Sequence, residues 1–376
     1  MYWLIKSLSA PILSLILMML GSGLFNTFTS IRLEMAGYST EAIGAVTSAL
    51  YMGVVIGSLR LSQWISKIGH IHALILFASI SACLALTQAI WIDAYFWSLI
   101  RFFSGICMAG IFIVIESWLL MQSPLAMRGR ILSVYLAVFY GALSAGQLLI
   151  NLAPLNTIYP FCITAAFFVI ALLPILIQKN QEPKIEDSER LSLLELFTIS
   201  PLGFLGGVIS GMLLAAVYGL VPVYAKEIGM EISQIGTFMA MIIFGGLVFQ
   251  WPLGLWADRG DRRRVLNISA FMASLAAIII ALIPSQFSLL FLILSWFFGG
   301  FSFTIYPLSM AFTCEKLGQD QIVSATGGFV LAYGLGAIAG PLLAPLAMSL
   351  FGLSGLFYFL AAITSILGLT ALRSRS

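Results

Sequence analysis

A short segment around residue 258 concentrates charge in a chain that has little of it elsewhere. Within GLWADRGDRRR, residues 254–264, six charged side chains occupy seven positions, although charged residues make up only 9% of the chain. Cations after a long apolar run are typical of the cytoplasmic end of a membrane helix, which explains the arginines but not Asp258. A carboxylate beside arginines at a helix end can form charge-assisted hydrogen bonds with a facing helix terminus in one conformation and lose them in another.

Two more charges lie inside apolar stretches, where an ionised side chain is costly. Arg101, in LIRFFSGICMAG, lies about 10 Å from the outer end of its span. It is predicted either to face a partner or a hydrated cavity, or to extend its guanidinium to the outer headgroups. Glu116 lies about 22 Å further along the same helix, so the two cannot pair directly. We expect Glu116 to be a protonation site or to form an ion pair with Arg60, Arg128, Arg130 or the basic residues after the second span.

The elements that carry these charges are membrane helices. The chain has 376 residues, of which 61% are hydrophobic, and its mean hydropathy of +1.06 lies outside the range of soluble domains. Long apolar runs without alternation predict helices and exclude a membrane barrel. At about 20 residues for each crossing, we predict an all-α polytopic protein with twelve spans, at 8–33, 41–62, 72–91, 94–121, 130–152, 156–178, 198–225, 232–257, 264–284, 287–314, 322–350 and 352–372.

The distribution of cations predicts the orientation of these spans. With the N-terminus placed in the cytoplasm, nearly all lysines and arginines fall on the inner side, whereas Arg32 and Lys226 fall on the outer side. Both termini are therefore predicted to be cytoplasmic, and the N-terminal stretch has no small-residue cleavage site of a signal peptide. The net charge of +3 is spread over many helix ends, so no nucleic-acid surface is expected. The four cysteines lie within spans without C-x-x-C spacing and are predicted to be packing residues, not disulfides or metal ligands.

The two halves of the chain are similar when they are offset by 192 residues. At this offset six pairs of identical residues coincide within one window. They are glycine at 37/229, 44/236 and 53/245, isoleucine at 43/235, leucine at 61/253 and tryptophan at 64/256. This predicts a duplicated unit of six helices, and an even number of spans gives both copies the same orientation. We therefore expect an N-terminal bundle at 1–178, a cytoplasmic linker at 179–197 and a C-terminal bundle at 198–376.

The duplication and the charged segment together resemble the major facilitator superfamily of secondary transporters. That family has an approximate signature G-x-x-x-D-R-x-G-R-R/K between the second and third helices of each half. Here it matches Gly254, Asp258, Arg259, Arg262 and Arg263, with Asp261 where the family prefers glycine. The copy in the first half is reduced to Ser62, Ser66, Lys67, Gly69 and His70. The resemblance implies that such segments hold the cytoplasmic gate closed.

Further motifs carry the same resemblance. Arg101 with Gly105 and Gly110 resembles an R-x-x-x-G pattern whose arginine the family associates with proton coupling, and we group Glu116 with it. A G-x-x-x-G-P pattern in the eleventh span resembles the family's antiporter motif, which normally lies in the fifth span. Small residues at that spacing are common at helix contacts, so the pattern says little about antiport.

By this resemblance, the first and fourth spans of each half line a central cavity, with contributions from the second and fifth. Eleven polar or aromatic residues fall at such places: Asn26, Tyr51, Arg101, Tyr140, Gln147, Tyr218, Gln250, Trp251, Trp296, Tyr306 and Tyr333. As a set they favour an amphipathic organic solute bound near the midplane. The sequence shows no phosphate loop, nucleophile constellation or metal-ligand spacing, so neither an enzyme nor a bound cofactor or metal is expected.

These observations predict a secondary transporter of the bacterial inner membrane that moves a small organic solute by alternating access. The resemblance implies proton coupling. Because the charge available to a ligand is cationic, an anionic or zwitterionic substrate is favoured, such as a carboxylate or a siderophore-like chelator. The alternatives are a multidrug/proton antiporter that exports lipophilic compounds, and a transporter-fold receptor that binds without translocating. We expect a monomer surrounded by membrane lipid.

Overall fold

The computed structural model describes residues 2–123, 127–177, 193–283, 288–315, 317 and 322–373. Over this part of the chain the fold is helical, as predicted, and twelve helices are long and apolar enough to cross a membrane. In chain order the helices are α1 (Tyr2–Met35), α2 (Thr40–Ile68), α3 (His70–Gln88), α4 (Ala94–Met121), α5 (Arg128–Leu148), α6 (Tyr159–Ile170), α7 (Leu173–Ile177), α8 (Leu193–Ile199), α9 (Pro201–Glu227), α10 (Ile232–Arg259), α11 (Arg262–Leu282), α12 (Leu289–Cys314), α13 (Ile322–Phe351) and α14 (Gly355–Arg373).

Two predicted boundaries lie short of the observed ones for the same reason. Helix α2 continues to Ile68 and α10 continues to Arg259, so Asp258 lies in the last helical turn and not in a loop. Each helix runs on until a glycine interrupts it, at Gly69 with a positive φ of 85° and at Gly260 in extended conformation. The sixth predicted span is divided between two helices, α6 and α7.

The helices form two compact units. The first contains Met1–Tyr38 and Ala49–Asp187, and the second contains Ser39–Ser48 and Ser188–Ser376. Most of the predicted linker lies outside the described residues, but its final residues belong to helix α8. There Leu196 is fully buried against Phe329 in the second unit, so this end is packed and not a free linker.

The segment Ser39–Ser48, which contains the start of α2, packs within the second unit. A methyl group at Gly44 would overlap the carbonyl oxygen of Pro341 in α13. The Ser48 hydroxyl donates a hydrogen bond of 2.8 Å to the carbonyl of Ile338. This segment is therefore attached to α13 by a close backbone approach at Gly44 and by a hydrogen bond from the Ser48 hydroxyl to a carbonyl.

The two units use the same helix crossing between their second and fourth membrane helices. In the first unit a methyl group at Gly105 would overlap the carbonyl oxygen of Leu50. In the second unit Gly299 stands in the same way against the carbonyl of Ile242. The turn glycines Gly37 and Gly229, which are 192 residues apart, have nearly equal positive φ angles of 83° and 85°. The internal repeat read from the sequence is thus present in the backbone geometry.

The cysteines follow their prediction only in part. All four are free thiols, as expected. Cys107 is buried and Cys314 is partly buried, but Cys83 and Cys162 are exposed on the surface of their helices. The packing role predicted for these last two is wrong. An apolar span shows little contrast between its buried and exposed faces, so sequence position alone could not separate them.

Candidate functional site

Arg101 is the most buried charged side chain of the first unit's described residues, with 4% of its surface exposed. Its Nη1 donates to Asn26 Oδ1 at 3.2 Å, and its Nη2 donates to the Phe25 carbonyl at 3.0 Å and to Thr29 Oγ1. The guanidinium carbon also lies 4.4 Å from the centre of the Phe25 ring, within cation–π range. All these partners belong to α1, so the alternative in which Arg101 extends to the outer headgroups is wrong.

One turn of α1 supplies the hydrogen-bond acceptors for this guanidinium. The Thr29 hydroxyl donates to the Phe25 carbonyl at 2.7 Å, and its oxygen then accepts from Arg101. Every acceptor is neutral, and no described carboxylate forms an ion pair with Arg101. Its Nε is buried and has no hydrogen-bond partner. The site therefore holds an uncompensated positive charge with one unused donor, which is costly in a low-dielectric interior.

A small cavity lies beside Arg101 within the first unit. Its volume, counted as space for the centres of water-sized molecules, is about 30 Å³, enough for one or two waters. Its walls combine hydroxyl, amide and apolar groups from Ser22, Phe25, Asn26, Leu50, Ser81, Arg101, Ser104, Met108 and Phe168. The cavity can hold a water molecule or a small head group against the arginine, but not a whole organic solute.

The other first-unit residues of the predicted set lie around the same turn of α1. Tyr51 interacts electrostatically with both Arg101 and Tyr140. Gln147 is fully buried, and its Oε1 accepts a hydrogen bond from Thr27, next to Asn26 in sequence. The Gln147 amide nitrogen has no partner. Arg101 Nε and Gln147 Nε2 are thus two of the buried donors of this unit that have no hydrogen-bond partner among the described residues, together with Arg32 Nε, Gln88 Nε2 and Trp118 Nε1.

The predicted aromatic residues of the second unit form separate contacts. The ring centres of Tyr306 and Tyr333 lie 5.3 Å apart, and Tyr306 also contacts Phe329 at 5.2 Å. Tyr218 packs edge-on against Phe303 at 5.9 Å. These pairs connect α9, α12 and α13.

Trp251 does not share a face with the other predicted cavity residues. It is 75% exposed and lies on the same side of α10 as the exposed Phe244 and Val248. Trp296 instead packs against Phe249 at 4.9 Å, one residue before Gln250. A helical step of 100° per residue separates Gln250 and Trp251, so two adjacent polar or aromatic residues could not both point inward.

Glu116 lies near the end of α4 and is partly buried. It makes no ion pair with a described side chain, and its predicted partners Arg60 and Arg130 are both exposed. The ion pairs predicted with these two arginines are therefore wrong, and the side chain of Arg128 lies outside the described residues. The neighbour that Glu116 affects electrostatically is Tyr135, a buried residue of α5.

The charged segment of the second unit binds the ends of neighbouring helices. Arg262 pairs with Asp258 at 3.2 Å and with Glu315 at 3.2 Å, and its Nη1 donates to the Ala311 carbonyl at 3.0 Å. Ala311 lies in the last turn of α12, where its carbonyl also accepts the Glu315 N–H at 3.3 Å and where the helix dipole favours a cation. Arg262 therefore attaches the start of α11 to the C-terminal end of α12.

The neighbouring residues extend this attachment to α14. Arg263 donates through Nη2 to the Leu372 carbonyl at 2.8 Å and through Nε to the Ala371 carbonyl. Asp261 caps α11 by accepting the backbone N–H of Arg263 at 2.9 Å, which explains an aspartate where the family prefers glycine. Arg259 is exposed, and a methyl group at Gly254 would meet no atom within 4 Å.

This architecture, with twelve membrane helices in two similar units and a buried arginine, is that of a polytopic membrane transporter. The family profile of the Major Facilitator Superfamily matches residues 12–231 and 203–375. The chain belongs to this superfamily. It is 30% identical over 362 residues to the uncharacterized MFS-type transporter YcaD of Salmonella paratyphi B and of Salmonella typhi, covering 96% of this chain and 94% of each relative.

Solved structures agree with the fold. The nucleoside transporter NupG superposes with a TM-score of 0.77 at 16% identity, over 97% of this chain and 98% of that one. A D-xylose–proton symporter gives 0.75 at 15% identity, over 98% and 97%. The human organic anion transporter MFSD10 gives 0.67 at 16% identity, over 97% and 99%. The protein is a multi-pass membrane protein and a secondary transporter of this superfamily.

Proposed function

We propose that this transporter carries a small organic anion or zwitterion, such as a carboxylate or a siderophore-like chelator, and that Arg101 binds its negative group. One observation carries the proposal: a guanidinium with 4% exposure has only neutral acceptors around it and keeps one donor unused. A substrate anion compensates this charge, and a charge-assisted hydrogen bond is about twice as strong as a neutral one.

The size of the adjoining cavity sets which part of the substrate enters. A space of about 30 Å³ accepts a head group of a few atoms, not a ring system. Phe25, Leu50, Met108 and Phe168 supply apolar walls beside it. A carboxylate attached to an apolar or aromatic body fits this combination better than a lipophilic cation, which the guanidinium would repel.

Glu116 is the proposed proton-binding residue of the transport cycle. It is partly buried, forms no ion pair with a described side chain and lies beside the buried Tyr135. An ionised carboxylate without a counter-charge is costly within a membrane helix, so we assign the proton of the cycle to this residue. Proton movement through Glu116 and alternating access then drive the anion across a bacterial inner membrane, with both chain termini in the cytoplasm and the protein acting as a monomer in lipid.

The test is a ligand screen followed by flux in sealed vesicles. Purified protein is screened by thermal shift against carboxylates and their uncharged amides, because a ligand that binds the folded state raises the melting temperature. An acid that stabilises the protein, while its amide does not, is then tested for uptake with and without a proton gradient. Stabilisation by the amide as strongly as by the acid, or by the Arg101→Gln variant as strongly as by the native protein, would refute the role of Arg101.

A further inference from the structure

The reduced motif of the first half contains a buried histidine. His70 is 1% exposed and begins α3 directly after Gly69. Its Nε2 lies 2.9 Å from the Ser117 hydroxyl oxygen in α4, and its ring meets Trp118 edge-on with centres 6.4 Å apart. The start of α3 is thus attached to the C-terminal part of α4, where Glu116 is the residue preceding Ser117.

The direction of this hydrogen bond follows from the serine. Its hydroxyl has one proton, and the carbonyl of Ile113 lies 2.6 Å from the oxygen, one turn earlier on the same helix. With the proton used there, the oxygen presents a lone pair to the imidazole. His70 therefore donates through an Nε2–H, the form in which this nitrogen carries the proton.

The same attachment occurs in the second unit with different residues. His70 and Arg262 occupy equivalent places at the repeat offset of 192 residues. The fourth helices are related by an offset of 194, as the equivalent contacts of Gly105 and Gly299 show, and at this offset Ser117 and Ala311 are equivalent. Arg262 donates to the Ala311 carbonyl just as His70 donates to Ser117. In both units a side chain at the start of the third membrane helix therefore binds the last turns of the fourth.

The replacement of arginine by histidine agrees with its surroundings. The two carboxylates that pair with Arg262 are Asp258 and Glu315. At the equivalent places the first unit has Ser66 and Met121. A guanidinium there would have lost both of its partners in a buried position, which is strongly unfavourable. An imidazole N–H makes the same contact as a single hydrogen bond to a hydroxyl.

We propose that His70 is the first unit's counterpart of Arg262, a positioning residue that fixes the end of α4, and with it Glu116, through a hydrogen bond to Ser117. The motif in this half has therefore been converted and not lost. The attachment does not depend on which substrate is carried, so it stands or falls separately from the role of Arg101.

Glutamine and asparagine substitutions test the donor. The amide nitrogen of glutamine is as many bonds from Cβ as His Nε2, whereas that of asparagine is one bond closer to the backbone. Hydrogen exchange of the amides at 118–123 measures opening of this helix end in the full-length protein in detergent. We expect exchange to rise about tenfold in His70→Asn and to stay within about twofold in His70→Gln, because the lost contact is an ordinary hydrogen bond. His72→Asn, at the only other histidine, is the matched control and should change nothing.

A second pair of variants covers the case in which His70→Asn does not fold. Ser117→Ala removes the acceptor and should raise exchange as much as His70→Asn, while Ser117→Thr keeps the hydroxyl and should not. In the double variant His70→Gln/Ser117→Ala the glutamine should no longer protect the helix end, because the two residues act through one contact. Equal exchange in His70→Gln and His70→Asn, or native exchange in Ser117→Ala, would overturn the assignment.

Discussion

Removing Arg262 should loosen the second unit, because one side chain connects three elements. The Arg262→Ala variant loses the ion pairs to Asp258 and Glu315, both at 3.2 Å, and the hydrogen bond to the Ala311 carbonyl. The two carboxylates remain where solvent reaches them, with 65% and 48% of their side chains exposed. They can therefore be hydrated in the variant, and the cost arises from the lost contacts and not from buried orphan charges.

The magnitude follows from the exposure of each contact. An i,i+4 pair as exposed as Arg262 with Asp258 contributes about 0.3–0.5 kcal/mol, and the pair with Glu315 contributes at most about 1 kcal/mol. The charge-assisted bond to the Ala311 carbonyl contributes about 1.5–3 kcal/mol. We therefore expect Arg262→Ala to destabilise the protein by roughly 2–4 kcal/mol, with the carbonyl contact as the largest part.

Thermal unfolding in detergent measures this loss. For a unit of about 150–250 residues, each kcal/mol shifts the melting temperature by roughly 2–4 °C, so a fall of about 5–15 °C is expected. Arg259→Ala is the matched control, since Arg259 is an exposed arginine three residues earlier, at the end of α10, and should shift the melting temperature by no more than about 1–2 °C. Equal shifts in the two variants would show that the cluster acts only as a cationic end, and the proposed attachment to α12 would be wrong.

Four other substitutions give distinct expectations. Arg101→Lys should retain folding but weaken binding of an anionic ligand about 10–100-fold, because lysine keeps the charge and loses the planar donors; native affinity in a titration would contradict a directional contact. Asp258→Asn should leave the melting temperature nearly unchanged and lower flux, with a coupling free energy of about 1–3 kcal/mol; native flux and unchanged labelling of cysteines at the cytoplasmic gate would limit Asp258 to its pair with Arg262. Gly105→Ala should destabilise the first unit by more than about 2 kcal/mol because its methyl group overlaps the Leu50 carbonyl, whereas Gly254→Ala has free space and should be neutral or stabilising by up to about 1 kcal/mol, as differential melting would show.

Hydropathy was sufficient for the fold because each membrane helix must satisfy its own backbone. The span predicted at 130–152 corresponds to α5 together with the 3-10 helix Leu149–Leu152 that follows it, and most other spans end within a few residues of their predicted ends. The larger error at α2, which runs to Ile68, arose because polar residues suggested a loop although no glycine or proline stopped the helix before Gly69. Polarity indicates where a helix leaves the membrane, not where it ends.

Only the charged residues of the candidate site could be predicted from the sequence. An arginine within an apolar span can be recognised from the sequence as a candidate site residue, but its hydrogen-bond partners cannot. The acceptors of Arg101 are the Phe25 carbonyl, a threonine and an asparagine, and such groups are present in many helices. Glu315 was missed because it lies just after a span, where an acidic residue is unremarkable in sequence. The side of α10 on which Trp251 lies could not be read either, since a helix that is apolar all round shows no preferred face.

The two units differ in where they carry charged side chains. Arg101 has no charged equivalent, because Ser295 stands at its place in the second unit and donates to the Phe291 carbonyl of its own helix. The second unit instead has arginines and carboxylates that bind helix ends, and at the equivalent place the first unit has the imidazole of His70. In the first unit the uncompensated charge at Arg101 is thus not accompanied by the Asp258–Arg262–Glu315 network of the second. The buried charge of the first unit therefore lies at Arg101 within the span of α4, whereas the charged side chains that bind helix ends lie in the second unit, because a helix end exposes carbonyls that a cation can bind.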